Sequence, residues 1–337
     1  MNHYQPPYTI TPEILNRVAA ISEAIGRLTV LTDQAKALRL RRINRIRTIR
    51  GSLAIEGNTL NEAQITAILE GKRVIAPPRE VREVRNALVA YDRSDTWRPE
   101  AEKDLLEAHR ILMSSLIDEA GMYRRGGVGV MASGEVIHMA PPAERVPHLM
   151  SDLFRWLAAT DAHPLIASSV FHYEFEFIHP FADGNGRMGR LWQSLILARW
   201  NPLFADIPVE SLVFEHQADY YEALRESTRQ TDSAPFISFM LRMILDAVTT
   251  AAPQVTPQVT PQVGELLRVV KGEMSREALQ TALGLLDRKS FRARYLKPAL
   301  DDGLIEMTLP GKPNSRLQKY RLTGEGERMK KALSPRR

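Results

Sequence analysis

The stretch His179-Pro180-Phe181-Ala182-Asp183-Gly184-Asn185-Gly186-Arg187-Met188-Gly189-Arg190 gathers a base, a carboxylate, an amide, two loop glycines and two guanidinia into twelve residues. Phosphoryl chemistry asks for that set. Gly184 and Gly186 let the backbone approach a polyanion and turn its amides toward it. The apolar run Leu191 to Leu197 then begins a helix whose positive end faces the loop. Asp183 can hold a hard cation such as Mg²⁺ against phosphate oxygens, Asn185 can donate to them, and Arg187 and Arg190 can neutralise outer phosphates in bidentate fashion. His179 can accept a proton from an attacking hydroxyl at neutral pH. Each residue taken singly is ordinary, and the conjunction carries the reading.

The segment resembles the Fic (Fido) signature, His-x-Phe-x-Asp/Glu-Gly-Asn-Gly-Arg-x-x-Arg, at every specified position. The resemblance implies a mainly α fold, a Fic-type helical core with a β-hairpin flap. It also implies transfer of the AMP of ATP, with Mg²⁺, onto a Ser, Thr or Tyr hydroxyl of a protein. Residue by residue, His179 would be the general base and Asp183 the magnesium ligand. Asn185, with the amides around Gly184 and Gly186, would cradle the phosphates. Arg187 would meet the β-phosphate side and Arg190 the γ-phosphate, while Phe181 would point into the core and fix the loop.

A second motif lies upstream, Ser52-Leu53-Ala54-Ile55-Glu56-Gly57-Asn58. Gln34 to Ile55 reads as a helix, Gly57 stands where helices end in a left-handed residue, and Ser52 and Glu56 share a face at i and i+4. A Glu at the negative end of a helix is unfavourable unless a cation lies nearby. The segment resembles the family's inhibitory signature, Ser/Thr-x-x-x-Glu-Gly/Asn. In that family the Glu pairs with the second Arg of the active-site motif, here Arg190, which makes Ser52, Glu56 and Gly57 the inhibitory residues of a helix N-terminal to the core.

Between the motifs, Arg124 to Pro142 reads as a hairpin: Val128 and Val130 alternate with glycines, Ser133-Gly134 is a turn signal, and Val136 and His138 alternate on the return. Its place matches the Fic flap, which in relatives holds the target by backbone pairing. Pro99 to Leu116 has the spacing of an amphipathic helix, in which His109 reads as a packing residue. His172, in the aromatic run Phe171 to Phe177, reads the same way. Tyr220 and Tyr221 follow the catalytic helix, where relatives line the adenine pocket. A helix can turn only one of them there, and Tyr221 is the candidate.

The 337 residues, 44% hydrophobic, suffice for about two domains. Pro-Gln-Val recurs at 253, 257 and 261, a period that favours an extended linker over 251–263. It separates an N-terminal helical region (1–95) and a catalytic core (96–250) from a tail (264–337). From Gly264 onward 17 Lys and Arg stand against 9 Asp and Glu, a net of +8 in a chain of +5, which leaves −3 for residues 1–263. The tail reads as three short helices, Glu265 to Val270, Arg276 to Leu283 and Arg288 to Leu300. Two strands follow, Leu304 to Met307 and Gln318 to Leu322, giving the pattern of a small winged-helix domain. Arg288, Lys289, Arg292, Arg294 and Lys297 lie on its third helix, which suits contact with DNA and equally a solvated face.

Without cysteine there is no thiolate metal site, disulfide or cysteine nucleophile. No run approaches the ~18 apolar residues of a membrane span, and Met1 to Thr11 lacks the pattern of a signal peptide, so the chain is expected in the cytoplasm. Together these readings point to an autoinhibited protein adenylyltransferase. Its partners would be ATP and a target protein, with self-modification, a homodimer and DNA contact through the tail left open. The alternatives are a DNA-binding regulator with a nucleotide-sensing core, a de-AMPylating enzyme, or transfer from another nucleotide.

Overall fold

The computed structural model describes residues 4–31, 34–132, 135–255, 261–285, 287–311 and 315–333, which divide into two compact units, Met1–Val255 and Thr256–Arg337. The first is helical. Its helices are α1 (Pro12–Leu31), α2 (Gln34–Ile55), α3 (Glu62–Leu69), α4 (Pro78–Arg93), α5 (Glu102–Leu112), α6 (Val146–Ala159), α7 (Pro164–Ile178), α8 (Asn185–Trp200), α9 (Val209–Glu215), α10 (Gln217–Gln230) and α11 (Ala234–Val255).

The centre of this unit is α7. It is buried around its whole circumference: Leu165, Val170, Phe171 and Phe175 have no exposed surface, and the polar side chains of His172, Glu174 and Glu176 are enclosed with them. Helices α6, α8 and α11 pack against it, α1 lies along α11, and α2 runs against α9, α3 and α4. Local chemistry fixes several starts: Pro164 opens α7, Pro78 opens α4, and Asn61 with Gln64 closes a capping box on α3. The shared core runs from Ile14 and Ile49 through Trp97 and Trp192 to Phe236. Strands β1 (Gly129–Ala132) and β2 (Glu135–Met139) pair antiparallel, Val130 opposite His138, with an irregularity between Val130 and Met131. The Ser133-Gly134 turn lies outside the described residues.

The second unit has its own core of Val263, Leu266, Leu267, Leu279, Phe291 and Leu304. It contains α12 (Pro261–Val269), β3 (Met274–Ser275), α13 (Arg276–Ala282), α14 (Arg288–Phe291), α15 (Lys297–Asp301), β4 (Ile305–Met307), β5 (Lys319–Leu322) and α16 (Gly324–Ala332). The strands form an antiparallel sheet in the order β3-β5-β4, and with the helices they make a winged-helix domain. Between α14 and α15 the chain makes a π turn, Arg292–Leu296. The cause is Pro298: in a regular helix it would leave the Arg294 carbonyl without a donor and press its ring on that carbonyl.

Several sequence expectations change. The helix expected over 99–116 is shorter at both ends, because Pro99 stays outside and gives its carbonyl to Trp192 Nε1 at 2.8 Å, and Ser115 takes a positive φ of 58°. The Pro-Gln-Val segment is not extended where it is described. Residues 251–255 belong to α11 and 261–263 to α12, and 256–260 lie outside the described residues. Proline as the first residue of a helix withholds an N–H that would have no partner there, so Pro261 starts α12 rather than breaking it. Strand β3 and helix α16 were not expected. Two residues are too short to show a period, and α16 is held by the Thr323 cap, whose Oγ1 accepts from the Gly326 N–H.

Candidate active site

Helices α7 and α8 are joined by six residues, His179–Gly184, which are the first half of the signature. His179 is the C-cap of α7 in the left-handed region (φ 51°, ψ 61°), an uncommon conformation for a side chain with a Cβ. Two contacts hold it there. Its N–H donates to Phe175 O at 2.9 Å, and its carbonyl accepts from Arg124 Nε at 2.7 Å. Arg124 is buried and also donates to Gly126 O, Pro141 O and Ile178 O, so it ties both legs of the β1–β2 hairpin to the histidine's backbone. Phe181 is fully buried and stacks on His109, ring centres 3.6 Å apart.

His109 is a packing residue with a second task. Its Nδ1 accepts from the Gly121 N–H at 2.8 Å and its Nε2 lies 3.0 Å from Asp183 O, so a neutral ring with the proton on Nε2 satisfies both. Burial pushes its pKa down to about 4. The Asn185 side chain bonds both Phe181 N–H and Phe181 O at 2.9 Å. Its amide therefore shapes the loop while keeping one N–H to spare, and the loop adds backbone donors: the first N–H of α8 bonded within the helix is that of Met188, to Gly184 O. Gly184 has φ 86°, and a Cβ there would meet Met113 Sδ at 2.7 Å.

Asp183 is more than a third exposed. Its Oδ1 accepts from Arg187 at 2.9 Å and from the Gly184 N–H at 2.5 Å, and its Oδ2 from Arg79 at 3.2 Å. Arg187 is buried and also faces Glu83 at 3.5 Å. A divalent cation fits this donor set through Oδ2, since Arg79 is an exposed side chain able to swing away. Among the described residues no group of three or more acidic or histidine side chains converges there, so phosphates would supply much of the coordination.

Arg190 is where the two motifs meet. It is buried and donates to Glu56 Oε1 at 2.6 Å, to Ser52 O at 2.9 Å and to Ser52 Oγ at 3.3 Å. Burial works against its charge, but Glu56, with Tyr220 and Glu176, outweighs this and holds the guanidinium ionised. Helix α2 ends in a Schellman arrangement: Gly57, at φ 90°, donates to Ala54 O and Asn58 to Leu53 O. That termination projects Glu56 onto the first turn of α8, where a Cβ on Gly186 would collide with its Oε1.

Of the two tyrosines on α10, Tyr220 is buried and Tyr221 half-buried; burial and the charge of Glu56 push the Tyr221 pKa up. His172 is wholly buried, with Nδ1 at 2.6 Å from Gln193 Oε1 and Nε2 at 3.1 Å from the Tyr220 hydroxyl. A cavity of about 520 Å³ lies along α8 beside Leu191, Ser194 and Leu195 and touches none of residues 179–190, so it is separate from this constellation. Arg124, His109, Glu83 and Arg79 were not singled out for the site from sequence, because they belong to no signature and reach the loop only through tertiary packing.

Residues 98–197 match the Fic/DOC family, and residues 261–323 match the C-terminal domain of Fic-like proteins, "Filamentation induced by cAMP protein Fic-like". A protein adenylyltransferase Fic of Nematostella vectensis is 33% identical over 57% of this chain and 45% of its own length. The chain thus spans less than half of the curated relatives it matches. The crystal structure of a Fic family protein from Desulfovibrio desulfuricans G20 is 56% identical, with a TM-score of 0.74, covering 95% of this chain and 99% of that one. A Fic-domain signalling protein from Bacteroides thetaiotaomicron shares the fold at 22% identity, with a TM-score of 0.61 over 70% of this chain and 97% of that one. With the signature on the loop between α7 and α8 and a relative matched along nearly its whole length, the chain belongs to the Fic family.

Proposed function

We propose that this protein is an adenylyltransferase held in check by its own α2. One observation carries the reading: the Glu56 carboxylate lies on the first turn of α8, over Gly186 and against Arg190, so an anion already occupies the place suited to a phosphate. An Arg bonded to a carboxylate cannot also clamp a γ-phosphate, and the carboxylate repels one.

In the reaction, the hydroxyl oxygen of a target Ser, Thr or Tyr attacks the α-phosphorus of ATP. The bond from that phosphorus to the bridging oxygen breaks, pyrophosphate leaves, and the hydroxyl proton passes to His179. The amides at the start of α8 and the guanidinia of Arg187 and Arg190 orient the phosphates. Asp183 would hold Mg²⁺, which when bound neutralises phosphate charge. The β1–β2 hairpin, anchored to the His179 carbonyl by Arg124, offers backbone against which an extended target can pair.

The test is the intact mass of the Glu56→Gly chain after incubation with ATP and Mg²⁺. A gain equal to AMP supports the reading, and a gain equal to phosphate, or none on the chain or on added proteins, overturns it. A second reading, DNA contact through the tail, has one favourable observation: Arg288, Lys289, Arg292, Arg294 and Lys297 are all exposed.

A further inference from the structure

Glu176 lies one turn before His179 on α7 and has no place in the signature. It is buried, and its Oε1 has no hydrogen-bond partner among the described residues. A carboxyl in that position harms the fold unless something else retains it. Its surroundings point to what does. The left-handed turn at His179 folds the imidazole back over the last turn of α7, bringing Nδ1 to 3.3 Å from the Glu176 carbonyl and 3.7 Å from its Oε2. Both acceptors of one residue thus face one ring nitrogen. Room for the carboxyl comes from Gly189, where a Cβ would stand 3.1 Å from Glu176 Oε1 and 2.7 Å from the His172 ring.

We propose that Glu176 is the positioning carboxylate of His179: it keeps Nδ1 turned toward α7 and Nε2 toward the attacking hydroxyl, and it lies beside the imidazolium as the proton arrives. This deepens the adenylyltransferase reading and rests on it. His179 takes the proton, and Glu176 touches neither substrate nor nucleotide but fixes the ring and answers its charge, as a carboxylate behind a catalytic histidine does. The groups facing it are His172 and His179 on its own helix and cap, Arg190 on α8, Glu56 at the end of α2, and Tyr220 and Tyr221 on α10. Burial pushes its pKa up to about 8; Arg190 pulls it down and Glu56 pushes it up. Removing Glu56 therefore favours the ionised form that His179 needs.

The experiment compares Glu56→Gly with Glu56→Gly/Glu176→Gln. The substitution is expected to lower kcat for AMP transfer about tenfold to a hundredfold while leaving the ATP KM unchanged. The acid limb of the pH profile should flatten from a slope near two toward one, since only the imidazole then titrates. Glu176→Asp should recover part of the rate, and urea unfolding should show Glu176→Gln no less stable than its parent. Equal kcat and an unchanged pH profile would overturn the inference, as would a loss of stability as large as the loss of rate. Should Glu56→Gly transfer no AMP at all, the adenylyltransferase reading fails by itself. Glu176 is then decided by ¹⁵N NMR titration of His179, whose midpoint must differ between wild type and Glu176→Gln; identical midpoints refute the contact.

Discussion

Arg190 and Glu56, 134 positions apart in sequence, are joined by a 2.6 Å charge-assisted hydrogen bond beneath the carbonyl and hydroxyl of Ser52. The pair links the end of α2 to the first turns of α8. Removing a charged partner from a buried arginine ordinarily harms a protein, yet here Glu56→Gly is expected to raise self-adenylylation. A pair worth about 1.5 to 3 kcal/mol corresponds to roughly tenfold to a hundredfold in the population free to bind the γ-phosphate. Arg190→Ala should abolish the gain, and the double variant should behave as Arg190→Ala alone. Mass spectrometry across this cycle checks it, and equal rates for wild type and Glu56→Gly would reduce Ser52–Asn58 to a helix end.

His179→Ala should remove transfer and leave ATP binding close to that of the parent. In the proposed reaction the imidazole would act on the incoming hydroxyl, whereas the phosphates would be held by α8 and its arginines. Calorimetric titration with ATP alongside the transfer assay, both in the Glu56→Gly background, separates the two roles. Loss of binding together with rate would make His179 a structural residue.

Arg124→Ala should both destabilise the core and slow transfer. It strands the carbonyls of Gly126, Pro141, Ile178 and His179, of which Arg124 is the shared donor, at a cost of about 2 to 4 kcal/mol. Urea unfolding measures the first effect. A variant as stable as wild type would show that the hairpin root is held by other contacts.

His172 makes stability sensitive to acid. Burial lowers its pKa to about 3, whereas the unfolded chain binds a proton near pH 6.5, so its contribution is complete above about 6.5 and is lost as pH falls toward 3. At pH 5 the loss is about 2 kcal/mol. Glu174 and Glu176 work in the opposite sense. Burial raises them to about 7 and about 8, so their contribution is complete below about 4.3 and is lost as pH rises. The two trends oppose one another in the wild type and separate in His172→Gln, whose stability relative to wild type should improve between pH 7 and pH 5. A difference constant with pH would refute the assignment.

Residues 1–255 should fold without the tail, because each unit has its own buried core. Any affinity for DNA should leave with the tail and fall steeply with salt. Circular dichroism of the truncated chain and salt-dependent binding to duplex DNA check both parts. DNA binding retained by the truncated chain would place the basic site elsewhere.

Local signals were legible where the chemistry is local. The end of α2 was read in place because Gly57 terminates it, and the signature at 179–190 was read from residue types at fixed spacing; the helix expected to begin with the apolar run at Leu191 instead starts at Asn185, because the second half of the signature already forms its first turns. The short helices of the tail were read nearly in place, but not the π turn before Pro298, since periodicity does not report a widened turn. Asn185 shows the limit within the signature itself. Its type suits a phosphate donor, but the fold also uses it to hold the loop: Oδ1 accepts from the Phe181 N–H and one Nδ2 N–H donates to Phe181 O, which leaves a single N–H of the amide for a ligand.

The sequence by itself determined the family signature at 179–190 and the ends of those helices that a local cap or glycine terminates, because such signals act over a few positions. Tertiary structure alone decided that Tyr220 rather than Tyr221 is buried, that Arg124 anchors the hairpin, and that Glu176 stands behind His179. Those outcomes follow from the packing of α7, α8 and α10 and the root of the hairpin against one another, and from the rule that buried polar groups take the partners that packing brings within reach.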